Sequence, residues 1–447
     1  MERDLTQGPV MKTMLRFALP MILGDLLQQC YNIADTLIVG RFLGEDALAA
    51  VGSSFTLMTF LTSILLGLAM GSGTVFSLRF GQGDERGLRE GIAAAFLLLA
   101  AVTVLLNLAI VLGLDWIIRA LQTPAALVEP MRAYLSVIFT GMAAIFLYNF
   151  FASLLRSLGN SVAPLVFLAL SAGLNIALDL WFVAGLNRGV AGAAEATVIS
   201  QYVSGVGIAL YARVRFPHLF RRDPALRLRL SRVGEIARFS ALTCAQQSIM
   251  NLGILAVQGR VNHYGTTTMA AFAAAVKIDA FAYLPVQDFG NAFSIFLSQN
   301  AGAGKRARIR AGIRGAVVAS ASFSAVLSLA VVLFARPLMA LFLDPSEGSQ
   351  AAVIAEGVRY LRIEGAFYPL IGLLFLFYGL YRALGRPGMS EVLTVVSLGT
   401  RVLLAYALSA LPAVGVVGIW WAAPIGWFLA DALGAGCFFL RRRALIG

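Results

Sequence analysis

The sequence predicts an all-α polytopic membrane protein: twelve transmembrane helices in two six-helix lobes, related by a pseudo-two-fold axis along the membrane normal. Three observations predict it. Apolar residues make up 59% of the 447-residue chain and charged residues only 13%, against about half and about a quarter in soluble domains. The remaining charge gathers in short junctions between long apolar segments. The two halves of the chain also repeat one another.

A spanning helix needs roughly 20 mostly apolar residues. Twelve segments qualify, near 12–38, 47–79, 89–114, 132–156, 160–185, 189–213, 233–262, 267–302, 310–335, 354–384, 388–411 and 415–440. Several are long enough to tilt or kink. Pro20, Pro164, Pro285 and Pro369 lie inside them, where neighbouring helices can satisfy the freed backbone. Glu2 and Asp4 precede the first apolar run and no small-residue cleavage site ends it, so no cleavable signal is expected. Cys30, Cys244 and Cys437 fall in apolar segments without metal-ligand spacing, and are expected to be small buried hydrophobes rather than a disulfide framework.

The net charge of +12 does not point to nucleic acid, because the arginines sit in loops between spans and form no soluble basic face. Their distribution sets orientation instead. Even-numbered junctions carry Arg79, Arg86 and Arg89; Arg156; the run from Arg213 to Arg232; Lys305, Arg306, Arg308 and Arg310; and Arg382 and Arg386. Lys12, Arg16 and Arg441 to Arg443 make both termini basic, while odd-numbered junctions hold Glu45, Asp46, Asp344 and Glu347. A monomeric, multi-pass protein of the inner (plasma) membrane is expected, with both termini cytoplasmic.

The longest polar connection, "RVRFPHLFRRDPALRLRLSR" at 213–232, divides the chain into an N-terminal lobe (1–213), a basic cytoplasmic linker (214–232) and a C-terminal lobe (233–447). "FASLLRSLG" at 151–159 recurs as "FYGLYRALG" at 377–385, a shift of 226, which also carries "GVAG" at 189–192 onto "GVVG" at 415–418. Earlier in each half the shift is 221, taking Gly44 onto Gly265 and "REGI" at 89–92 onto "RAGI" at 310–313. Each copy has an even number of spans, so the copies run in the same direction. Parallel repeats of this kind build secondary transporters that alternate access by rocking.

Ionisable residues inside a membrane mark function by default. Asp35 lies six residues before Arg41, ~9 Å below the outer end of span 1. Asp179 lies nine residues before Arg188, and Asn175, four residues earlier, shares its helix face. Thr197 is eight residues into span 6, ~12 Å from that same end. The repeat supplies a control: Ala405, Ala423 and Phe375 stand where the first half has Asp179, Thr197 and Asn149. A scaffold role would demand these groups twice, so a site confined to the first lobe is expected. In the second lobe, span 8 holds Lys277, Asp279 and Asp288, span 10 Glu364, span 11 Arg401 and span 12 Asp431. Arg401 is expected to neutralise one of these carboxylates. Lys277, Asp279, Asp288, Glu364 and Arg401 are candidates for a substrate cavity or a structural ion pair.

"ADTLIVGRFLGEDALAAVG" (34–52), "GLAMGSGTVFSLRFGQGD" (67–84), "SQNAGAG" (298–304) and the span-1 proline resemble the multidrug and toxic compound extrusion family, MATE, over essentially the whole chain. The resemblance implies a twelve-helix antiporter, not an enzyme, that expels organic cations in exchange for H⁺ or Na⁺ and needs no cofactor beyond that ion. Asp35 is similar to the family's span-1 aspartate, Asn175 and Asp179 to the span-5 pair of the DinF-like branch, Thr197 to its span-6 polar residue, and Tyr134 and Asn149 to span-4 members of the same network. If Na⁺ is the coupling ion, Asp35, Asn175, Asp179 and Thr197 are its implied ligands. Some members also carry acids in spans 7 and 10, where this chain reads Asn251 and Ile371.

Burial away from water and a neighbouring carboxylate both favour the neutral acid, so an Asp35–Asp179 pair suits binding of one positive ion. The nearest rival is a flippase for lipid-linked saccharides of the same superfamily, kept in play by Arg401 and Lys277. An intramembrane aspartyl protease is more remote: "GQGD" at 81–84 fits its pattern, but the repeat places "GAGK" there and Asp84 falls in a cytoplasmic turn.

Overall fold

The structure is a computed structural model and describes residues 4–120, 125–221, 229–342 and 348–446. Residues 222–228 of the basic linker, together with Asp344 and Glu347, therefore lie outside the described residues. Among the described residues the chain forms twelve helical rods. α1 (10–43) and α2 (45–82) are parts of one long helix broken at Gly44. They are followed by α3 (Glu85–Ala120), α4 (Leu127–Ser157), α5 (Val162–Gly185) and α6 (Gly189–Arg215). After the linker come α7 (Leu230–Asn262), α8 (Thr266–Gly302), α9 (Arg306–Ala340), α10 (Gly348–Gly365 continuing as Tyr368–Ala383), α11 (Pro387–Ser409) and α12 (Val417–Ile446). α10 bends by 50° at its break.

Eight of these are apolar and long enough to cross a bilayer alone, and the bent α10 makes a ninth. The other three, α1, α6 and α7, are diluted by polar groups such as Gln28, Asn32, Glu195, Gln201, Gln246 and Asn251. Such groups are tolerable in a membrane only where protein partners satisfy them. The lipid-facing surface follows the opposite rule. Leu105, Leu108 and Leu112 of α3 are exposed at helical spacing, and so are their repeat partners Val326, Leu329 and Leu333 of α9.

The turns carry the repeat as well. Left-handed glycines pair across the halves: Gly44 (φ 83°) with Gly265 (89°), Gly83 (68°) with Gly304 (66°), Gly159 (84°) with Gly385 (78°), and Gly189 (63°) with Gly415 (56°). A positive φ costs glycine little and other L-residues much more. Each pair therefore breaks the helix at an equivalent point in each copy.

The chain divides into two compact units. The first is built mainly from Leu23–Cys244, the second from Leu5–Ile22 with 245–446. The sequence division at 213/233 and the compact units differ at two places. The start of α1 counts with the second unit, and the start of α7 counts with the first. In the first unit α7 lies almost backbone to backbone on α2: a Cβ on Gly71 would stand 2.4 Å from the Phe239 carbonyl oxygen, and one on Gly67 2.6 Å from Cys244 Cα. Small residues allow such approach where no hydrophobic drive separates helix from lipid. Ser72 and Ser240 hydroxyls meet there at 2.8 Å. Beside the α2–α3 turn Arg79 binds Glu235 at 2.6 Å, and Arg232 reaches Asp84 and Glu90 at 3.6 and 3.8 Å.

In the second unit the N-terminal turn Leu5–Gly8 is strapped to the α8–α9 turn. Leu5 N donates to Gln299 Oε1 (3.1 Å), Asn300 Nδ2 to Leu5 O (3.2 Å), and Lys305 Nζ to Thr6 O (2.8 Å). Arg308 donates to the carbonyls of Gly8 (2.6 Å), Leu5 (3.0 Å) and Gln7 (3.0 Å). None of the three cysteines forms a disulfide; Cys30 is exposed, where burial was expected, and Cys244 and Cys437 are half-buried.

Candidate functional site

α1, α4, α5 and α6 of the first unit bring polar side chains to one place. Asp35 and Tyr31 are four residues apart on α1 and so share a face. Asn175 and Asp179 do the same on α5, and Thr197 comes from α6. Asp179 is 0% exposed and Asn175 1%; Thr197 is also buried, while Asp35 is half-buried. The carboxyl groups of Asp35 and Asp179 face each other within hydrogen-bonding reach.

Asn175 bridges the next two members. With its amide oriented to satisfy both neighbours, Nδ2 donates to Asp179 Oδ2 at 2.9 Å and Oδ1 accepts from the Thr197 hydroxyl at 3.2 Å. The Thr197 hydroxyl, with one hydrogen to give, also lies 3.1 Å from the Ala193 carbonyl and shares it between the two acceptors. The Tyr31 hydroxyl is within hydrogen-bonding reach of Thr197, and the buried Tyr134 ring adjoins Tyr31, Asp35 and Asp179. Just past Asp179 the helix widens: Leu186 N reaches back five residues to Trp181 O at 2.8 Å, giving a π turn over Leu180–Gly185. Such single wide turns are common at functional sites.

Two atoms remain over. Asp35 Oδ1 and Asp179 Oδ1 are buried without a hydrogen-bond partner. Two carboxylates that face each other can only accept, so the geometry asks for a positive particle between them: a proton, or a small cation. Among the described residues no group of three or more His, Cys, Asp or Glu side chains is placed to hold a metal ion. A metal cation held here would need the neutral oxygens of Asn175 and Thr197 as well.

Asn149 does not join this group. It is half-buried and donates to the Ile145 carbonyl of its own helix at 2.9 Å. Tyr31 is a member that sequence reasoning missed. Its four-residue spacing from Asp35 was the available signal.

The second-lobe candidates divide. Asp279, Glu364 and Arg401 come together, with the Arg401 guanidinium 2.9 Å from Glu364 Oε1. Lys277 is exposed, and Asp288 is buried further along α8. Asp84 is a helix cap: its Oδ1 accepts from Gly87 N at 2.8 Å at the start of α3, and its Oδ2 lies 3.8 Å from Arg79.

A two-repeat, twelve-helix membrane fold with a buried acid pair in one unit defines the general class. The MatE family model matches residues 20–181 and 243–407, one stretch in each half. The probable multidrug resistance protein YpnP of Bacillus subtilis is 31% identical over 397 residues, covering 88% of this chain and 87% of that one. A FAD transporter of Shewanella oneidensis is 27% identical over 98% of this chain and 96% of its own. Among solved structures, an outward-facing multidrug resistance MATE family transporter of the MOP superfamily superposes with a TM-score of 0.92. It is 23% identical and covers 99% of this chain and 98% of that chain. The chain belongs to the MatE family.

Proposed function

We propose that the protein is a secondary active multidrug efflux transporter of the plasma membrane. It works as a monomer with both termini in the cytoplasm, exchanging organic, mostly lipophilic cationic compounds for protons by alternating access of its two lobes. The names of its relatives, multidrug resistance proteins among them, support the class. The single observation that carries the coupling site is the pair of facing carboxyls, Asp35 and Asp179, each with a buried oxygen that no other group satisfies.

A proton fits that gap better than Na⁺. Only two carboxylates serve the site, and the Asn175 oxygen is already turned to Thr197. In the outward-facing state one proton enters between Asp35 and Asp179 and removes their repulsion. The span-1 helix then repacks near Pro20, the substrate loses its contacts and leaves, and the lobes return with the proton. One charge crossing about 100 mV is worth ~2.3 kcal/mol, and ~1.4 kcal/mol is a tenfold ratio, so one proton drives more than a decade for a neutral compound. Exchanged for a monovalent cation it moves no net charge and relies on the pH difference. A flippase would call for a basic cavity; here Arg401 is engaged by Glu364 and Lys277 is exposed.

Efflux of a fluorescent cation from vesicles under an imposed pH or Na⁺ gradient tests the reading, with an anionic dye as a second substrate. Wild type is expected to pump the cation under the pH gradient, and Asp35→Asn and Asp179→Asn to fall to the level of empty vesicles. Wild-type rates in both variants under either gradient would remove the site.

A further inference from the structure

One surface of the second unit gathers cations that its own structure does not neutralise. No acidic residue occurs between Asp4 and Asp25, or between Asp288 and Asp344. Those two stretches hold the first turns of α1 and the whole of α9. Of their cations, Lys305 and Arg308 are engaged by the Leu5–Gly8 carbonyls. Lys12 and Arg16 on α1, and Arg306, Arg310 and Arg314 on α9, are exposed. Among the described residues Lys12, Arg16, Arg306 and Arg314 form no ion pair.

The two stretches meet side by side. A Cβ on Gly315 would stand 2.5 Å from Met11 Cε. Eight spans separate the start of α1 from the start of α9, so the two helices run the same way. Each residue turns a helix by about 100°. Lys12 follows Met11 and Arg314 precedes Gly315, so both stand about 100° round from the contact, on the same side of it. Leu15 and Ala311, each four residues from the contact, stand about 40° round on that side. The opposite side carries Met14 and Ala18 of α1 with Ile309 and Ala316 of α9, all buried in one core.

The outer side is therefore a shallow groove. Lys12 and Arg314 form its rims, within ~3 Å of one another in height. Its floor is apolar and open: Leu15 is 46% exposed, Leu19 56% and Val318 66%, and Ala311 is exposed with them. Leu19 and Val318 continue that floor away from the helix starts, toward the apolar interior of the spans.

The repeat supplies a control. At the shift of 221, Ala311 corresponds to Glu90 and Arg310 to Arg89. In the first unit Glu90 pairs with Arg86 at 3.3 Å and with Arg232 at 3.8 Å, so that junction neutralises its own cations. In the second unit alanine stands in the place of the acid and the cations remain. Orientation asks for positive charge at junctions in both copies. It does not account for removal of the acid from one.

The rims call for an anion and the floor for an apolar chain. Soluble phosphate has no chain to cover Leu15, Leu19 and Val318, and a nucleic acid has no place against a lipid-facing stripe. We propose that this groove binds one anionic phospholipid. Its phosphate sits between Lys12 and Arg314, with Arg16 one turn from Lys12, and an acyl chain lies along Leu15, Leu19 and Val318. With the termini in the cytoplasm, as in the reading above, the lipid belongs to the inner leaflet, where anionic headgroups attract basic segments beside a span. Once bound, it joins the first turns of α1 to α9 and braces the start of the helix that carries Asp35.

Native mass spectrometry of the purified full-length protein tests the site without any transport step. The protein is held in neutral detergent with phosphatidylglycerol or phosphatidylcholine of identical chains. Wild type is expected to retain one phosphatidylglycerol at detergent concentrations that strip phosphatidylcholine. Lys12→Gln with Arg314→Gln should weaken that retention roughly 25-fold, at about fivefold for each charge. Ala311→Glu places the first unit's acid in the groove and should reduce retention to the level of phosphatidylcholine. Arg441→Gln with Arg442→Gln removes two exposed cations of α12 and should leave the retained lipid in place. All the substituted positions are exposed, so melting temperatures in detergent alone should match wild type. Equal retention of the two lipids by wild type would remove the preference for an anion and overturn the site. Unchanged retention in both groove variants, or an equal loss in the α12 variant, would overturn it as well, the last by reducing it to diffuse surface charge.

Discussion

In the first unit a half-buried acid, Asp35, faces a buried one, Asp179, with only neutral company: an asparagine, a threonine and two tyrosines. In the second unit two buried acids, Asp279 and Glu364, face each other beside a permanent cation, Arg401. The helices, their glycine breaks and one tyrosine position, Tyr134 and Tyr360 at the shift of 226, are common to both; the residue at the equivalent place on α5 and α11 is not. Asn175 can donate to a carboxylate without fixing its charge. Arg401 holds Glu364 as an ion. One scaffold position therefore separates a pair of acids with no cation beside it from a pair in which one carboxylate is matched by a guanidinium.

The comparison breaks most severely if the cation is moved. Asn175→Arg should pin Asp179 in an ion pair, in the way Arg401 pins Glu364. Dye efflux under a pH gradient should drop to background while the melting temperature stays near wild type. Normal efflux in that variant would mean the first-unit acids do not need a variable charge. Next in size is Arg401→Gln, which removes one partner of a buried ion pair and is expected to cost ~3–5 kcal/mol. This is read as a marked drop in melting temperature, with Glu364→Gln in the same chain restoring much of it. Thr197→Ala removes one hydrogen bond at the first site, worth ~0.5–1.5 kcal/mol. The proton or Na⁺ concentration for half-maximal efflux should rise by up to about tenfold. The smallest effect belongs to Asp84→Asn. Asparagine caps a helix as well as aspartate, so drug resistance in cells should be unaltered.

Much of this architecture was legible because the membrane imposes coarse rules. Long apolar runs, basic junctions and glycine turns mark helix ends wherever water is absent, and a shift of 221 or 226 links the two copies. Asp35, Asn175, Asp179 and Thr197 could be placed at one depth because a straight helix converts residue number into distance. Where the helices are not straight that conversion weakens. The π turn after Asp179 and the break of α10 have no clear signature in composition. Asn149 shows the limit of counting: its amide closes on the carbonyl one turn back. Arg401 had several acids within reach of its helix, and only packing selects Glu364. Tyr31, and Tyr360 and Tyr368, which donate to Asp279, were hidden because an aromatic residue in a membrane span is ordinarily packing, and their hydroxyls gain meaning only beside a carboxylate.

The boundary of the two compact units falls inside α1, between Ile22 and Leu23. The turn that leads into this helix is buttoned to the α8–α9 turn by Lys305 and Arg308, while Asp35 belongs to the other unit. One helix thus gives its foot to one compact unit and Asp35, near its head, to the other. Each residue added to a helix turns everything beyond it by about 100°. One alanine inserted after Ile22 would turn Asp35 by about 100° relative to the Leu5–Gly8 contacts at the foot of the same helix, without changing a single side chain at either end.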